Sequence, residues 1–117
     1  MPATLAAVGD LPFELPPERA AELFANGEVE LIDVREEYER EAGHIPGSRH
    51  VEMGRLADSA DTLPVERPLV FACRVGARSA QAAFAFRRAG FDAHNLHGGI
   101  VAWADLGLPV DGEIAEH

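Results

Sequence analysis

The sequence predicts an α/β domain built on a parallel sheet. Three observations lead there. Short apolar runs with β-branched residues alternate with charged or Ala-rich helical segments along the 117 residues. The connections between them are short and marked by Gly and Pro. Two chemistry-bearing residues, Asp33 and Cys73, fall at the C-terminal ends of predicted strands, where open parallel sheets place their ligands.

Residues 1–117 are expected to form one domain. Residues 1–10 read as a loose lead-in, and Leu11 to Leu15 as a short edge strand. Pro16-Pro17-Glu18 opens a helix, since proline suits the first turn and an acid favours the N-terminus. Ala20, Leu23 and Phe24 form its apolar face, and Gly27 ends it. Val29 to Val34 is a strand ending near Asp33, and Arg35 to Glu41 a charged helical turn with Tyr38 as its packing residue. Gly43 to Gly47 reads as a tight loop and Arg49 to Val51 as a short strand. Met53 to Leu63 is an irregular helix stopped by Pro64. Leu69 to Ala72 is a buried strand, Ser79 to Ala89 a helix ended by Gly90, and Asp92 to Leu96 a further strand. Gly98-Gly99 leads into a helix through Trp103, a packing residue. A closing segment, Leu106 to Val110, and an acidic tail over residues 111–117 complete the chain.

The stretch from Cys73 to Ser79, CRVGARS, is a strand-to-helix turn. Such a turn aims backbone N–H groups and the positive end of the helix dipole at one spot. Cys73 is the only cysteine and opens the turn; Arg74 and Arg78 flank Gly76, which lets the backbone curl. A lone cysteine is often just a small buried hydrophobe. This one stands at a strand end between arginines, a setting that lowers a thiol's pKa and favours the thiolate.

One cysteine excludes an internal disulfide and a cysteine-rich metal site. The N-terminus has neither the basic start nor the apolar run of a signal peptide, and no segment has the length and hydropathy of a membrane span. The expected location is the cytoplasm, where a free thiol survives. The net charge of −10 argues against nucleic acid and anionic membranes as partners. Yet Arg67 to Arg88 holds five arginines and no acid, so the one positive stretch surrounds Cys73 and favours a small anionic substrate. His94 and His97 lie three apart at a strand end, on opposite faces, which argues against a metal pair. His44 reads as structural, and the acidic run Glu36 to Glu41 as a solvated face.

Three segments together resemble the rhodanese-like sulfurtransferases, over most of the chain. LIDVREEYEREAGHIPGSRHV (Leu31 to Val51) is similar to the family's first signature, CRVGARS to its active-site loop, and GGIVAWADLGLPV (Gly98 to Val110) to its closing segment. His50 stands where Asn or a similar residue is expected. The resemblance implies a five-stranded parallel sheet of order 1-5-4-2-3 with helices on both faces. It implies that Cys73 takes a sulfane sulfur from thiosulfate or a similar donor as a persulfide. Cyanide, a small thiol or a protein thiol then accepts that sulfur. The loop residues Arg74, Val75, Gly76, Ala77, Arg78 and Ser79 would stabilise the anionic sulfur. Arg74 and Arg78 would hold the anion or the loop, and Ser79 would cap the following helix. Asp33 would pair with Arg74, while Arg35 would face either the site or solvent. No cofactor and no metal are implied, and the oligomeric state is left open.

Two rivals use the same fold. A phosphatase or arsenate reductase of this kind has five residues between Cys and Arg; here four separate Cys73 from Arg78, and the further thiols usual in an arsenate reductase are absent. A non-catalytic or protein-specific persulfide carrier is the second.

Overall fold

The computed structural model describes residues 11–114. The lead-in expected over residues 1–10, and residues 115–117 of the acidic tail, lie outside the described residues. In chain order the elements are β1 (Glu14–Leu15), α1 (Pro17–Ala25), β2 (Glu30–Asp33), α2 (Glu37–Ala42), β3 (Gly43–His44), β4 (Arg49–His50), α3 (Leu56–Ser59), β5 (Leu69–Ala72), α4 (Ala77–Arg88), β6 (Ala93–Leu96), α5 (Gly99–Asp105) and β7 (Asp111–Gly112). Single 3₁₀ turns, Met53–Arg55 and Ala60–Thr62, flank α3, which accounts for the irregular helix expected there.

Five strands form one sheet in the order β1-β6-β5-β2-β4, every pair parallel. Numbered among themselves along the chain, they run 1-5-4-2-3, the order that the resemblance implied. The sheet is continuous because short apolar segments supply its middle: all four residues of β5 are buried, and β5 sits at its centre. Alternation along the strands divides the core in two. Leu31, Val70 and Ala72 face Leu23 of α1 and Ile100 and Trp103 of α5. Ile32, Leu69 and Phe71 face Leu56 of α3 and Ala82, Ala83 and Phe86 of α4. The small alanines of α4 bring that helix close to the sheet. Phe71, Phe86 and Phe91 meet in sequence as tilted rings with centroids 5.0 Å apart, and a fully buried ring such as Phe71 contributes about 1.5–3 kcal/mol. Trp103 is buried as expected, and its Nε1–H donates to the Pro109 carbonyl at 2.8 Å, pinning the closing segment.

Three local expectations are corrected. Tyr38 is 66% exposed and packs in no core, because α2 has no buried residue of its own. The stretch expected as a loop from Gly43 begins instead with β3. That strand pairs antiparallel with β7, so the segment expected as an acidic tail opens as a strand. Two-residue strands carry no hydrophobic period from which they can be read.

Candidate functional site

The buried end of β5 delivers Cys73, and α4 closes over it. The chain turns through Arg74, half-exposed Val75 and Gly76, whose φ of 105° is a region side chains rarely adopt. Gly76 is the N-cap of α4, and exposed Ala77, Arg78 and Ser79 make the first turn. First-turn N–H groups lack intrahelical acceptors. The Cys73 sulfur supplies one. Gly76 N–H and Ser79 N–H donate to Sγ at 3.1 and 3.4 Å, and Ser79 Oγ lies 3.3 Å away. Cys73 is only 1% exposed. Ser79 therefore does not cap α4 as expected: the helix starts two positions earlier than the alanine pattern implied, and the sulfur takes the capping role. Burial pushes the Cys73 thiol up, but the Ser79 hydroxyl and the N–H groups of Ser79, Gly76 and Arg78 outweigh it. The net result is a thiol below its ordinary 9.0.

The loop is held from behind by α5. The N–H groups of Ile100 and Val101 donate to the Cys73 and Arg74 carbonyls at 2.9 and 3.0 Å. That contact needs a glycine. A Cβ on Gly99 would overlap the Arg74 carbonyl and lie 2.6 Å from Val75 Cα.

The positive stretch around Cys73 is mostly spent inside the fold. Arg67 pairs with Glu30, and Arg87 bonds the Ala93 carbonyl and covers the Phe13 ring. Arg88 lies over Phe84. Arg78 forks onto Glu39 of α2, with Nη1 and Nη2 donating at 2.9 and 3.0 Å. This fork holds Arg78 above its ordinary value, and the same hydrogen bond holds Glu39 below the usual carboxylate range. Among the described residues Arg74 alone of these five has a side chain with no hydrogen bond, ion pair or ring partner.

Asp33 does not pair with Arg74. Arg35 donates Nε and Nη2 to its two carboxylate oxygens, each at 2.9 Å, and Arg35 N–H adds a third bond at 3.1 Å. Arg40 reaches Oδ2 at 3.4 Å. The carboxylate is filled by neighbours on its own stretch of chain, at less entropic cost than a cross-strand partner. Arg35 faces neither the loop nor solvent: it is 3% exposed and also bonds the Gly43 carbonyl at 2.6 Å. His44 Nδ1 contacts the Arg40 carbonyl, and His50 Nε2 the Arg35 carbonyl at 2.8 Å, so both belong to this structural knot. His94 is buried between Pro12 and Asp92, and His97 lies exposed beside Glu14. No group of three potential metal ligands occurs among the described residues, and no helix there is long and apolar enough to cross a membrane.

Three residues of the site escaped the sequence reading. Glu39 lies in the acidic run that reads as a solvated face. Its spacing from Glu36 marks a capping box, which the structure contains, but nothing local points to Arg78. Asn95 is buried in β6 and Glu14 stands beside it in β1. Asparagine inside a strand of buried residues was the available signal, since strands disfavour it.

The fold and the loop define a class: parallel α/β domains that present one cysteine in a cradle of N–H donors at the end of the central strand. The Rhodanese-like domain family model matches residues 16–106, and the chain belongs to that family. Thiosulfate sulfurtransferase GlpE of Pseudomonas aeruginosa (strain LESB58) is 36% identical over 96 residues, covering 81% of this chain and 86% of that protein. HTH-type transcriptional regulator Rv0324 of Mycobacterium tuberculosis is 42% identical over 88 residues, 73% of this chain and 38% of the regulator. Among solved structures, a rhodanese-related protein from Thermoplasma volcanium superposes with a TM-score of 0.80 at 25% identity, covering 87% of this chain and all of that one. Of these relatives, GlpE is named a sulfurtransferase.

Proposed function

We propose that this protein is a sulfurtransferase that moves a sulfane sulfur through a persulfide on Cys73. The observation that carries this reading is the cradle itself: a buried sulfur receives converging N–H groups and a hydroxyl, and its thiol lies below its ordinary value. The Cys73 thiolate attacks the outer sulfur of thiosulfate or a similar donor. A sulfur–sulfur bond forms, and the donor's own sulfur–sulfur bond breaks. Sulfite leaves with the electron pair as a stable anion, so no general acid is needed. The persulfide is anionic at neutral pH, and the loop N–H groups stabilise it as they do the thiolate. Cyanide, a small thiol or a protein thiol then attacks the outer sulfur and restores the thiolate. The two displacements leave oxidation states balanced and give ping-pong kinetics.

Arg74, whose guanidinium has no partner among the described residues, draws in the donor anion, while Arg78 holds the loop through Glu39. Asp33 and Arg35 support the strand end from which the loop springs. A reducing compartment such as the cytoplasm suits a lone free thiol. Intact mass measurement after thiosulfate treatment tests the proposal. The wild type gains one sulfur, lost on adding cyanide, and Cys73→Ser gains none. A wild type that gains no sulfur, or a Cys73→Ser variant that gains as much, overturns it.

A further inference from the structure

The Ser79 hydroxyl carries one proton and has two takers. Cys73 Sγ lies 3.3 Å from Oγ, and Asn95 Oδ1 lies 2.6 Å from it. The Asn95 amide is oriented by its neighbours, since its nitrogen is ringed by acceptors. Nδ2 reaches Glu14 Oε1 and Oε2 at 3.0 and 3.1 Å and the Gly76 carbonyl at 3.1 Å. Oδ1 must therefore face Ser79, and an amide oxygen only accepts. Ser79 and Asn95 are both buried, so no bulk water competes for the proton. We propose that Asn95 is a positioning residue that draws the Ser79 hydroxyl proton away from the Cys73 sulfur, with the Glu14 carboxylate fixing and polarising its amide. The proposal rests on the reading of Cys73 as the reacting sulfur.

In the thiol form the Cys73 S–H donates to Ser79 Oγ, and the Ser79 O–H donates to Asn95. Every proton has one acceptor. On ionisation the thiol proton leaves to solvent, and the Ser79 O–H turns to the sulfur. It can do so only by giving up the shorter bond to Asn95. Asn95 thus favours the thiol, against the backbone N–H groups that favour the thiolate. Glu14 strengthens this restraint, since donating to a carboxylate makes the amide oxygen a better acceptor. The consequence runs opposite to intuition: deleting a polar residue from the network makes the sulfur more acidic.

The charged and titratable groups around Cys73 are Arg74 and Arg78 on its loop, Glu39 and Tyr38 on α2 beside Arg78, Glu14 on β1, and His97 paired with Glu14. Asn95→Leu and Ser79→Ala change none of them. The test is the pH dependence of iodoacetamide alkylation of Cys73, a reaction that requires no sulfur transfer. Failure of thiosulfate loading therefore sinks the functional reading without touching this result, and the converse also holds. Ser79→Ala raises the midpoint. Asn95→Leu lowers it by about half to one pH unit, the worth of one neutral hydrogen bond. The double variant titrates like Ser79→Ala, because Asn95 acts only through the Ser79 proton. Glu14→Gln, an exposed change that keeps the strand, also removes a negative charge whose field acts with or without Ser79; its lowering is therefore larger with the Ser79 hydroxyl than in the Ser79→Ala background, and that difference carries the test should Asn95→Leu fail to fold. An Asn95→Leu or Glu14→Gln midpoint that stays or rises overturns the proposal. An Asn95→Leu lowering that persists without the Ser79 hydroxyl, or a Glu14→Gln lowering of the same size with and without it, does so equally.

Discussion

Glu39 and Arg78, 39 positions apart in the chain, meet as a two-point fork at 2.9 and 3.0 Å. The same Glu39 Oε1 accepts the Glu36 N–H at 2.9 Å, so one carboxylate both starts α2 and ties it to the first turn of α4. The loop cysteine lies directly before that turn. This fork is how α2, a helix with no buried residue, becomes part of the site.

Glu39→Gln removes the charge but leaves the shape. The Arg78 side chain is 39% exposed, so solvent screening limits the stability loss to about 0.5–1 kcal/mol at neutral pH. The folded Glu39 value lies below its ordinary 4.5, so its contribution is present above 4.5 and fades as pH falls through the lower folded value. Urea unfolding of both proteins is expected to differ at neutral pH and to converge in acid. A constant difference across that range contradicts the assignment.

Arg74→Ala is expected to behave differently, because this side chain is unpartnered among the described residues. Its stability stays within ~0.5 kcal/mol of wild type. On the proposed reading the KM for thiosulfate rises, with less change in kcat, because the charge is assigned to donor binding. Steady-state kinetics at two salt concentrations check this; an unaltered KM removes Arg74 from the binding role.

Asp33→Asn attacks the structural knot. It leaves the guanidinium of Arg35, 3% exposed, without its counter-charge, at a cost of about 3–5 kcal/mol. Denaturant melts are expected to show the loss, while the alkylation profile of the folded fraction stays close to wild type. A stable variant with an altered Cys73 profile would instead place Asp33 in the chemistry.

The loop's four residues between Cys73 and Arg78 set the last expectation. A ring of N–H groups closed around one sulfur leaves no room for three phosphoryl oxygens, and each misplaced group costs about 1–3 kcal/mol. Thiosulfate-to-cyanide transfer is expected without hydrolysis of aryl phosphates. A residue inserted between Cys73 and Arg78 weakens the transfer. Efficient Cys73-dependent phosphatase turnover by the wild type shows the loop argument to be wrong.

Much of this protein was determined by sequence alone. Apolar runs such as Leu69 to Ala72 announce buried strands because backbone and burial both favour them locally. Pro17, Gly76 and Gly98-Gly99 mark helix starts and turns by their own dihedral limits. The place of Cys73, before a glycine turn and a helix, follows from these local rules, and so does its setting among N–H donors. Tertiary structure decided which charges meet. Asp33 was expected across the sheet at Arg74 and instead closed on Arg35 and Arg40; Arg78 found Glu39; Ser79, expected as a cap, turned inward to Cys73 and Asn95. Periodicity and turn chemistry act over a few residues and survive small errors of placement. Hydrogen bonds between side chains far apart in the chain depend on tenths of an ångström in the packed backbone, and no local pattern carries that information.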